Sequence, residues 1–503
     1  LGEATRNIFK KKGAKEVAYK DLREWLAKLE AEGELKRIEA KVDWDLELGQ
    51  ITRKAISEHA PALLFENIKD HEKTRGRRLL ANSLATRARM AMAIGLPKTT
   101  SSQEITQVMR KRFKEGIKPV RVKTGPVKEN ILMGDEVDLL QFPVPKWHPL
   151  DGGRYINTMC GIVTRDPDNG EQNVGLYRGM VNGKNKINVL LVPHQHWGQH
   201  FLKHQQRKQP MPVAVAYGWD DVLPIVAGTG FAHPPYEYDI MGSLTQKAVE
   251  LVKCETNDLE VPATAEIVVE GHIPTDPGTY EMEGPYGEWT GYYGWSRNRP
   301  VIHVDCITHR NDPIFRGQVT GQKVGGISEA GIMAFHAYGA IVWNYLEAAG
   351  IPGILDVVAL PTTAVKIHKL YEGHARQIAA AIWGSWFAPQ YAKNVVVVDD
   401  DVDIRSPRDL ELAIRNRVDP KDQVIIYPGS IGCNLDPSIA LEDRDELVYG
   451  GGIQNRMLID ATIDWRKFPI RKEYGNQRFP PKCGEATPEI IALVEQRWKE
   501  YGF

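Results

Sequence analysis

The run Glu283-Gly284-Pro285-Tyr286-Gly287-Glu288-Trp289-Thr290-Gly291-Tyr292-Tyr293 sets a carboxylate on each side of a Gly-Pro-Tyr-Gly turn. Pro285 fixes its own φ, and Gly284 and Gly287 admit conformations closed to residues with a side chain, so the stretch is too tight for helix. A loop of this build can aim both glutamates at one point with aromatic rings beside them. Paired carboxylates in unlike surroundings can divide acid and base duties. The plain alternative is a glycine-rich surface turn with solvated glutamates. The aromatic density of the run and the rest of the chain weigh against it.

Outward from this loop, between about Tyr155 and Arg316, the pattern is mostly short strands. Examples are Gly161 to Arg165, Ile187 to Val192, Pro212 to Tyr217, Glu266 to Glu270 and Val301 to Ile307, separated by Gly/Pro/Asn/Asp turns. A helix around Ser243 to Val252 is expected to interrupt them, and the whole reads as a barrel-like β domain with helical insertions. Upstream, Asp21-Leu22-Arg23-Glu24 resembles a capping box, with Leu22, Trp25, Leu26 and Leu29 at helical spacing and Gly33 as the stop. A second helix is expected from about Ser102 to Lys114, followed by a stiff connector carrying Pro143, Pro145 and Pro149. Downstream of Gly325, Ala330 to Ala349 reads as a long helix ending at a plausible hinge, Gly350-Ile351-Pro352-Gly353. Strands and helices then alternate through Val357 to Leu360, His374 to Trp386, Val395 to Val398, Leu410 to Arg415 and Val424 to Tyr427, which indicates an α/β layer.

The composition suits a soluble globular protein of two or three domains: 503 residues, 42% hydrophobic and 26% charged. A net charge of -1 gives no reason to expect nucleic acid or an anionic membrane as partner. No stretch has the apolar length to span a bilayer. The five cysteines, Cys160, Cys254, Cys306, Cys433 and Cys483, lie far apart without a C-x-x-C pair, as expected for reduced thiols in a cytoplasmic protein. Cys254 and Cys306 sit in apolar stretches and read as small core residues. Leu1 to Glu16 carries Lys10-Lys11-Lys12 but no apolar signal-peptide core, and is read as a poorly ordered extension.

Other residues could carry chemistry. In Asn173-Val174-Gly175-Leu176-Tyr177-Arg178 an amide oxygen suited to a metal precedes a cation suited to a carboxylate. Alone, the segment is equally a hairpin with polar ends. His194, His196, His200 and His204 form the densest histidine cluster, the last three at helical spacing. There is no H-E-x-x-H, so His200 and His204 are read as a solvated helix face and His196 as the better ligand. Glu237 follows Pro234-Pro235-Tyr236 at the start of a helix, where the dipole favours a carboxylate whatever its role. Asn173, His196 and Glu237 together offer mixed oxygen and nitrogen donors, which suits Mn²⁺ or Mg²⁺ bridging to phosphate better than closed structural zinc. No P-loop and no helix-opening G-x-G-x-x-G is present.

These segments resemble the UbiD family of reversible decarboxylases that use prenylated FMN, in its hydroxyarylic and aromatic acid branch. The resemblance runs from about Tyr19 to the C-terminus. It is carried by Asn173 to Arg178, Glu237-Tyr238 before Met241-Gly242, Val252-Lys253-Cys254 with Asn257 to Ala263, Glu283 to Glu288 with Thr290 to Tyr293, and Tyr371-Glu372-Gly373-His374-Ala375-Arg376. It implies an α/β (α+β) fold. An N-terminal α/β domain (19–125) follows the extension (1–18), then a split β-barrel flavin-binding domain (126–325), a linking helix (326–352) and a C-terminal α/β oligomerisation domain (353–503).

By the same resemblance, Asn173, His196 and Glu237 hold a divalent metal, usually Mn²⁺ or else Mg²⁺, that ties the cofactor phosphate to the protein, with K⁺ or Na⁺ beside it. His194 stays open as an alternative to His196. Gly175, Leu176, Tyr177, Arg178 and Gln195 would border the cofactor, and Lys393 would contact its phosphate. The catalytic trio would be Arg178, Glu283 and Glu288, with Glu288 returning a proton after CO2 leaves a covalent cofactor adduct. Losing CO2 from an aromatic acid needs an electron sink that no side chain provides. Trp289, Tyr292, Tyr293 and Trp295 are expected to form a pocket for a flat aromatic carboxylic acid. A flavin prenyltransferase would supply the cofactor, and a homodimer, dimer of dimers or hexamer is implied. In the opposite direction the chain would be a carboxylase. Two other classes stay in view: a metal-dependent hydrolase, active without flavin, and a non-catalytic subunit of a larger carboxylase.

Overall fold

Asp21 opens the first helix, Leu22–Ala31, by accepting from the Arg23 and Glu24 amides, and Leu22, Trp25, Leu26 and Leu29 are buried as their spacing requires. Glu24 reaches back to the Lys20 N–H rather than to that of Asp21, so the box is offset by one residue. A complete capping box forms at Ser101 and Glu104 and opens Ser102–Lys114. The computed structural model describes residues 19–231, 235–321, 328–360, 362–388, 392–444, 451–481 and 486–502. The N-terminal extension, Pro234, Gly325 and Cys483 lie outside them.

Leu35–Ile38, Ala62–Phe65 and Arg78–Ala81 make an N-terminal sheet whose fourth strand, Ile314–Arg316, arrives from far along the chain. That return stitches the first layer to the second. The second is a nine-stranded antiparallel sheet. Its order runs Gln172–Gly175, Cys160–Arg165, Met211–Tyr217, Ile267–Ile273, Val301–His309, Lys186–Val189, Gly179–Val181 and Tyr155–Asn157, with Asn130–Met133 also on Val301–His309. Val213, Val215, Ile267, Val269, Ile302 and Ile307 turn inward to one apolar cluster, the alternation a half-buried sheet needs.

The helix expected at Ser243 to Val252 is displaced. It spans Glu237–Thr245 and stops at Gln246, which is left-handed at φ 55°. Glu250–Lys253 is instead a strand paired with Glu260–Pro262 and Val120–Arg121. Leu251 and Val252 fit a helical stripe on paper, but strand partners supplied from elsewhere in the chain decide the matter.

The linking helix spans Glu329–Ala348, with Ser328 capping the Gly331 amide. Glu329 is fully buried and accepts from the Leu84 amide at 2.6 Å and from Arg316. Arg316 also donates to Asp221 at 3.0 Å, and Asp221 accepts from the Trp25 indole at 3.0 Å. Removing one member of such a buried set leaves an uncompensated charge, costing roughly 3–5 kcal/mol. The set therefore fixes the start of the linking helix to both preceding layers.

The helix leads to a mixed five-stranded sheet ordered Ile354–Val358, Thr363–Ile367, Asn394–Val398, Ile453–Ala461 and Val424–Ile431. Thr363–Ile367 and Ile453–Ala461 were not anticipated. One apolar cluster runs from Trp25 through Ala337, Tyr338 and Val342 of the linking helix to Val395 and Leu458. No described helix is long and apolar enough to cross a membrane.

Candidate active site

Glu283 ends the strand Glu281–Glu283, and the chain then turns through the Gly284–Pro285 cis peptide to Glu288. Arg178 sits in the turn before Gly179–Val181 and lies between the two glutamates. Its Nη2 donates to Glu283 at 2.6 Å and to the Trp295 carbonyl at 3.3 Å, while Nη1 donates to Glu288. All three side chains are buried. A Cβ at Gly294 would stand 2.5 Å from Arg178 Nη1, so the guanidinium reaches this place because residue 294 has no side chain. The three residues expected to act together are thus brought together, with Arg178 serving both carboxylates.

Burial pushes the Glu288 carboxyl above the ordinary glutamate range; Arg178 pulls the other way without cancelling this, and Glu283 adds to the rise. Burial works against the charge of Arg178, but Glu283 and Glu288 outweigh it and hold its pKa well above the usual value. Tyr155 donates its hydroxyl to Glu283 at 2.8 Å, and Arg299 Nε lies 3.2 Å from the same carboxylate. Sequence reasoning missed both. Arg299 stands opposite Glu281 in the strand register, so no spacing rule brings it to Glu283.

A second cluster adjoins the trio. Asn173 lies on Gln172–Gly175, while His196 and Glu237 are the first residues of helices His196–Gln206 and Glu237–Thr245. His196 Nδ1 is 3.0 Å from Asn173 Oδ1, and Glu237 accepts from the Val174 amide at 3.3 Å. Among the described residues no group of three or more His, Cys, Asp and Glu side chains could hold a metal ion. A cation here would therefore depend on the Asn173 amide as well as on His196 and Glu237. The donors, an amide oxygen, an imidazole nitrogen and a carboxylate, fit a hard divalent ion in chemistry. The two helix N-termini add the positive dipole ends that suit a phosphate.

Two readings of the histidine helix are corrected. His200 and His204 are buried, not solvated. His200 Nδ1 lies 3.0 Å from the Thr164 hydroxyl, and burial pulls its pKa down to about 4. The helix packs this face onto the sheet, so its histidine spacing reports core position.

Arg178 and Glu288 line one cavity of about 250 Å³ together with Asn173, His196 and Glu237, and Glu283 is not in its wall. Gly175, Leu176, Tyr177, His194, Gln195, Tyr286 and Trp289 are also in its wall. Tyr177 stacks on Trp197 with ring centres 4.2 Å apart. Lys393 is not in the wall; its ammonium bonds Asp436 at 2.7 Å and Ser438. The expected aromatic pocket is largely corrected. Of its four members only Trp289 lines the cavity, whereas Tyr292 and Tyr293 are 54% and 38% exposed. Tyr293 accepts from the Leu150 amide, and the Trp295 ring lies beneath Arg444, 5.5 Å from the guanidinium carbon. Ala330, Met333 and Tyr338 of the linking helix and Trp386, Phe387, Cys433, Asn434 and Leu435 also contribute to the wall. Cys433 is buried beside the trio; burial, and then the charge of Glu288, push its thiol up to about 12. These wall residues carry no sequence signal, because only the packing of the third layer brings them to the cavity.

Three family models match the chain in order. They are the N-terminal domain of 3-octaprenyl-4-hydroxybenzoate carboxy-lyase over residues 26–109, its Rift-related domain over 118–323 and its C-terminal domain over 334–461. The chain therefore belongs to the UbiD family of carboxy-lyases. Similar solved structures include the closed form of vanillic acid decarboxylase from Sedimentibacter hydroxybenzoicus. It is 27% identical with a TM-score of 0.84, covering 96% of this chain and 99% of that one. The UbiD-class enzyme HmfF from Pelotomaculum thermopropionicum, in complex with FMN, is 30% identical with a TM-score of 0.78, covering 94% and 99%. An evolved dimeric form of HmfF in complex with prFMN is 28% identical with a TM-score of 0.77, covering 95% and 100%.

Proposed function

We propose that the chain catalyses the reversible, prenylated-FMN-dependent decarboxylation of an aromatic carboxylic acid. The observation that carries this reading is Arg178, bonded at once to Glu283 and Glu288 in a wall shared with Asn173, His196 and Glu237. Prenylated FMN would supply the electron sink that decarboxylation of an aromatic acid requires. Its phosphate and a divalent cation would be held by Asn173, His196 and Glu237 at the two helix N-termini. Gly175 to Arg178 and Gln195 would border it.

The protein's own residues handle the proton. Glu288 is buried with its pKa raised above the ordinary glutamate range, which favours the protonated form that can donate. When the bond to the carboxylate breaks, its electron pair stays with the substrate; CO2 departs and the Glu288 hydroxyl gives its proton to the carbon. The Glu288 carboxylate left behind is held by Arg178, and solvent returns the proton. Glu283, tied to Arg178, Arg299 and Tyr155, fixes the guanidinium so that one cation serves both acids. Run backwards, Glu288 removes the proton and CO2 adds.

The test is anaerobic co-expression with a flavin prenyltransferase, mass measurement of the released cofactor, and a screen of aromatic acids for CO2 release and H/D exchange. Prenylated FMN with exchange is expected. Release of unmodified FMN only, or of no flavin, together with absence of exchange, overturns the reading.

A further inference from the structure

The proline-bearing connector also carries His148 and Asp151, both buried and neither in the cavity wall. Asp151 Oδ2 accepts from the His148 backbone at 3.0 Å and lies 3.1 Å from ring Nδ1. Its other oxygen, Oδ1, accepts from the Gly287 amide at 2.9 Å. His148 Nε2 lies 2.7 Å from the Thr320 carbonyl, and because a carbonyl oxygen only accepts, this nitrogen carries a hydrogen. The Thr320 hydroxyl donates to the Gly287 carbonyl at 2.7 Å. Both backbone polar groups of the residue before Glu288 are thus taken by one frame. The His148 ring closes the remaining side, since a Cβ at Gly287 would stand 2.7 Å from it. The same connector reaches further back along the loop, where the Gly152 amide donates to the Pro285 carbonyl at 2.9 Å.

We infer that His148 and Asp151 are positioning residues for Glu288: they hold the peptide on its N-terminal side so that its carboxyl stays on Arg178 and faces the cavity. The inference rests on the reading of Glu288 as proton donor. The frame bonds neither Arg178 nor Glu283; it reaches the trio through the Gly287 peptide and through Tyr286, which the Thr320 hydroxyl bonds at 2.6 Å and whose ring lies 5.9 Å from the Arg178 guanidinium carbon. A displacement of about 1 Å at a reacting group costs on the order of 10²-fold in rate.

The variants are Asp151→Ala, which removes the acceptor for the Gly287 amide, and Asp151→Asn, which keeps one. In the cofactor-loaded enzyme, Asp151→Ala is expected to lower kcat by about 10²-fold with KM and bound-flavin absorbance little changed. Asp151→Asn is expected to retain most of the activity. Wild-type kcat in Asp151→Ala, equal losses in both variants, or loss of flavin alongside kcat each overturns the inference. A second measurement needs no turnover: the Tm change caused by Asp151→Ala is compared in the Glu288 and Glu288→Gln backgrounds. Coupling of about 1–2 °C is expected, and additive changes refute it. If Asp151→Ala does not fold, His148→Gln takes its place in the cycle. Coupling without wild-type exchange would mean that the positioning holds and the proton-donor reading does not.

Discussion

Replacing Glu288 by glutamine keeps the side-chain volume and still offers Arg178 Nη1 an oxygen, but removes the proton that the carboxyl delivers. A well-placed general acid contributes about 10²–10⁴-fold, or roughly 3–5 kcal/mol of barrier, so CO2 release and H/D exchange should fall by at least 10²-fold. Stability should move the other way. The folded-state pKa of Glu288 is raised, so its stabilising contribution is complete below the ordinary glutamate value and is lost as pH rises through the raised one. Above that window the wild type buries a charged carboxylate that Arg178 only partly compensates. Glu288→Gln is therefore expected to melt at the same or a higher temperature at pH 8, with the difference shrinking as pH falls towards 4.5. The assay pairs initial rates of CO2 release with melting curves at several pH values, and bound-flavin absorbance confirms that the cofactor stays in place. Turnover within tenfold of wild type would remove Glu288 from the proton step. A Tm lower at pH 8 than at pH 5, relative to wild type, would refute the electrostatic argument.

Gly294→Ala places a methyl group 2.5 Å from Arg178 Nη1, and should cut turnover severely while leaving bound flavin intact. Glu237→Gln weakens a donor set of three and should lower both divalent-metal content, by elemental mass spectrometry, and flavin retention. His204→Gln should change neither. His200 has a folded-state pKa of about 4 against an ordinary 6.5, so its stabilising contribution is present above pH 6.5 and is lost as pH falls through 4. That difference corresponds to about 3 kcal/mol, and His200→Gln should flatten the loss of Tm between pH 6.5 and 4.

Short-range chemistry was legible wherever it was local. The cap at Asp21, the long linking helix and the turn bearing Glu283 and Glu288 follow from neighbours in sequence. Arg178, Asn173 and Glu237 were legible through the family resemblance, which recognises ordered motifs that spacing alone leaves ambiguous. What escaped depends on distant pairing. Leu251 and Val252 join a strand because Val120 and Pro262 arrive beside them. His200 is buried because the sheet lies under its helix. Tyr155, Arg299, Cys433 and the His148–Asp151 frame reach the site only through folding, and the aromatic run after Glu288 turned mostly outward despite its composition.

The origin of the cavity wall has a consequence for descent. The two acids stand on the strand Glu281–Glu283 and the turn after it, and their guanidinium on a loop of the nine-stranded sheet, whereas Met333, Tyr338, Trp386 and Leu435 come from parts of the chain with no share in the proposed proton step. Substitutions in the second group change what fits without altering how a proton is delivered. Selection could therefore have tried many ring shapes against a fixed chemistry, each by a few replacements of wall residues. Laboratory diversification aimed at new acids belongs in those wall positions, with the sheet left alone.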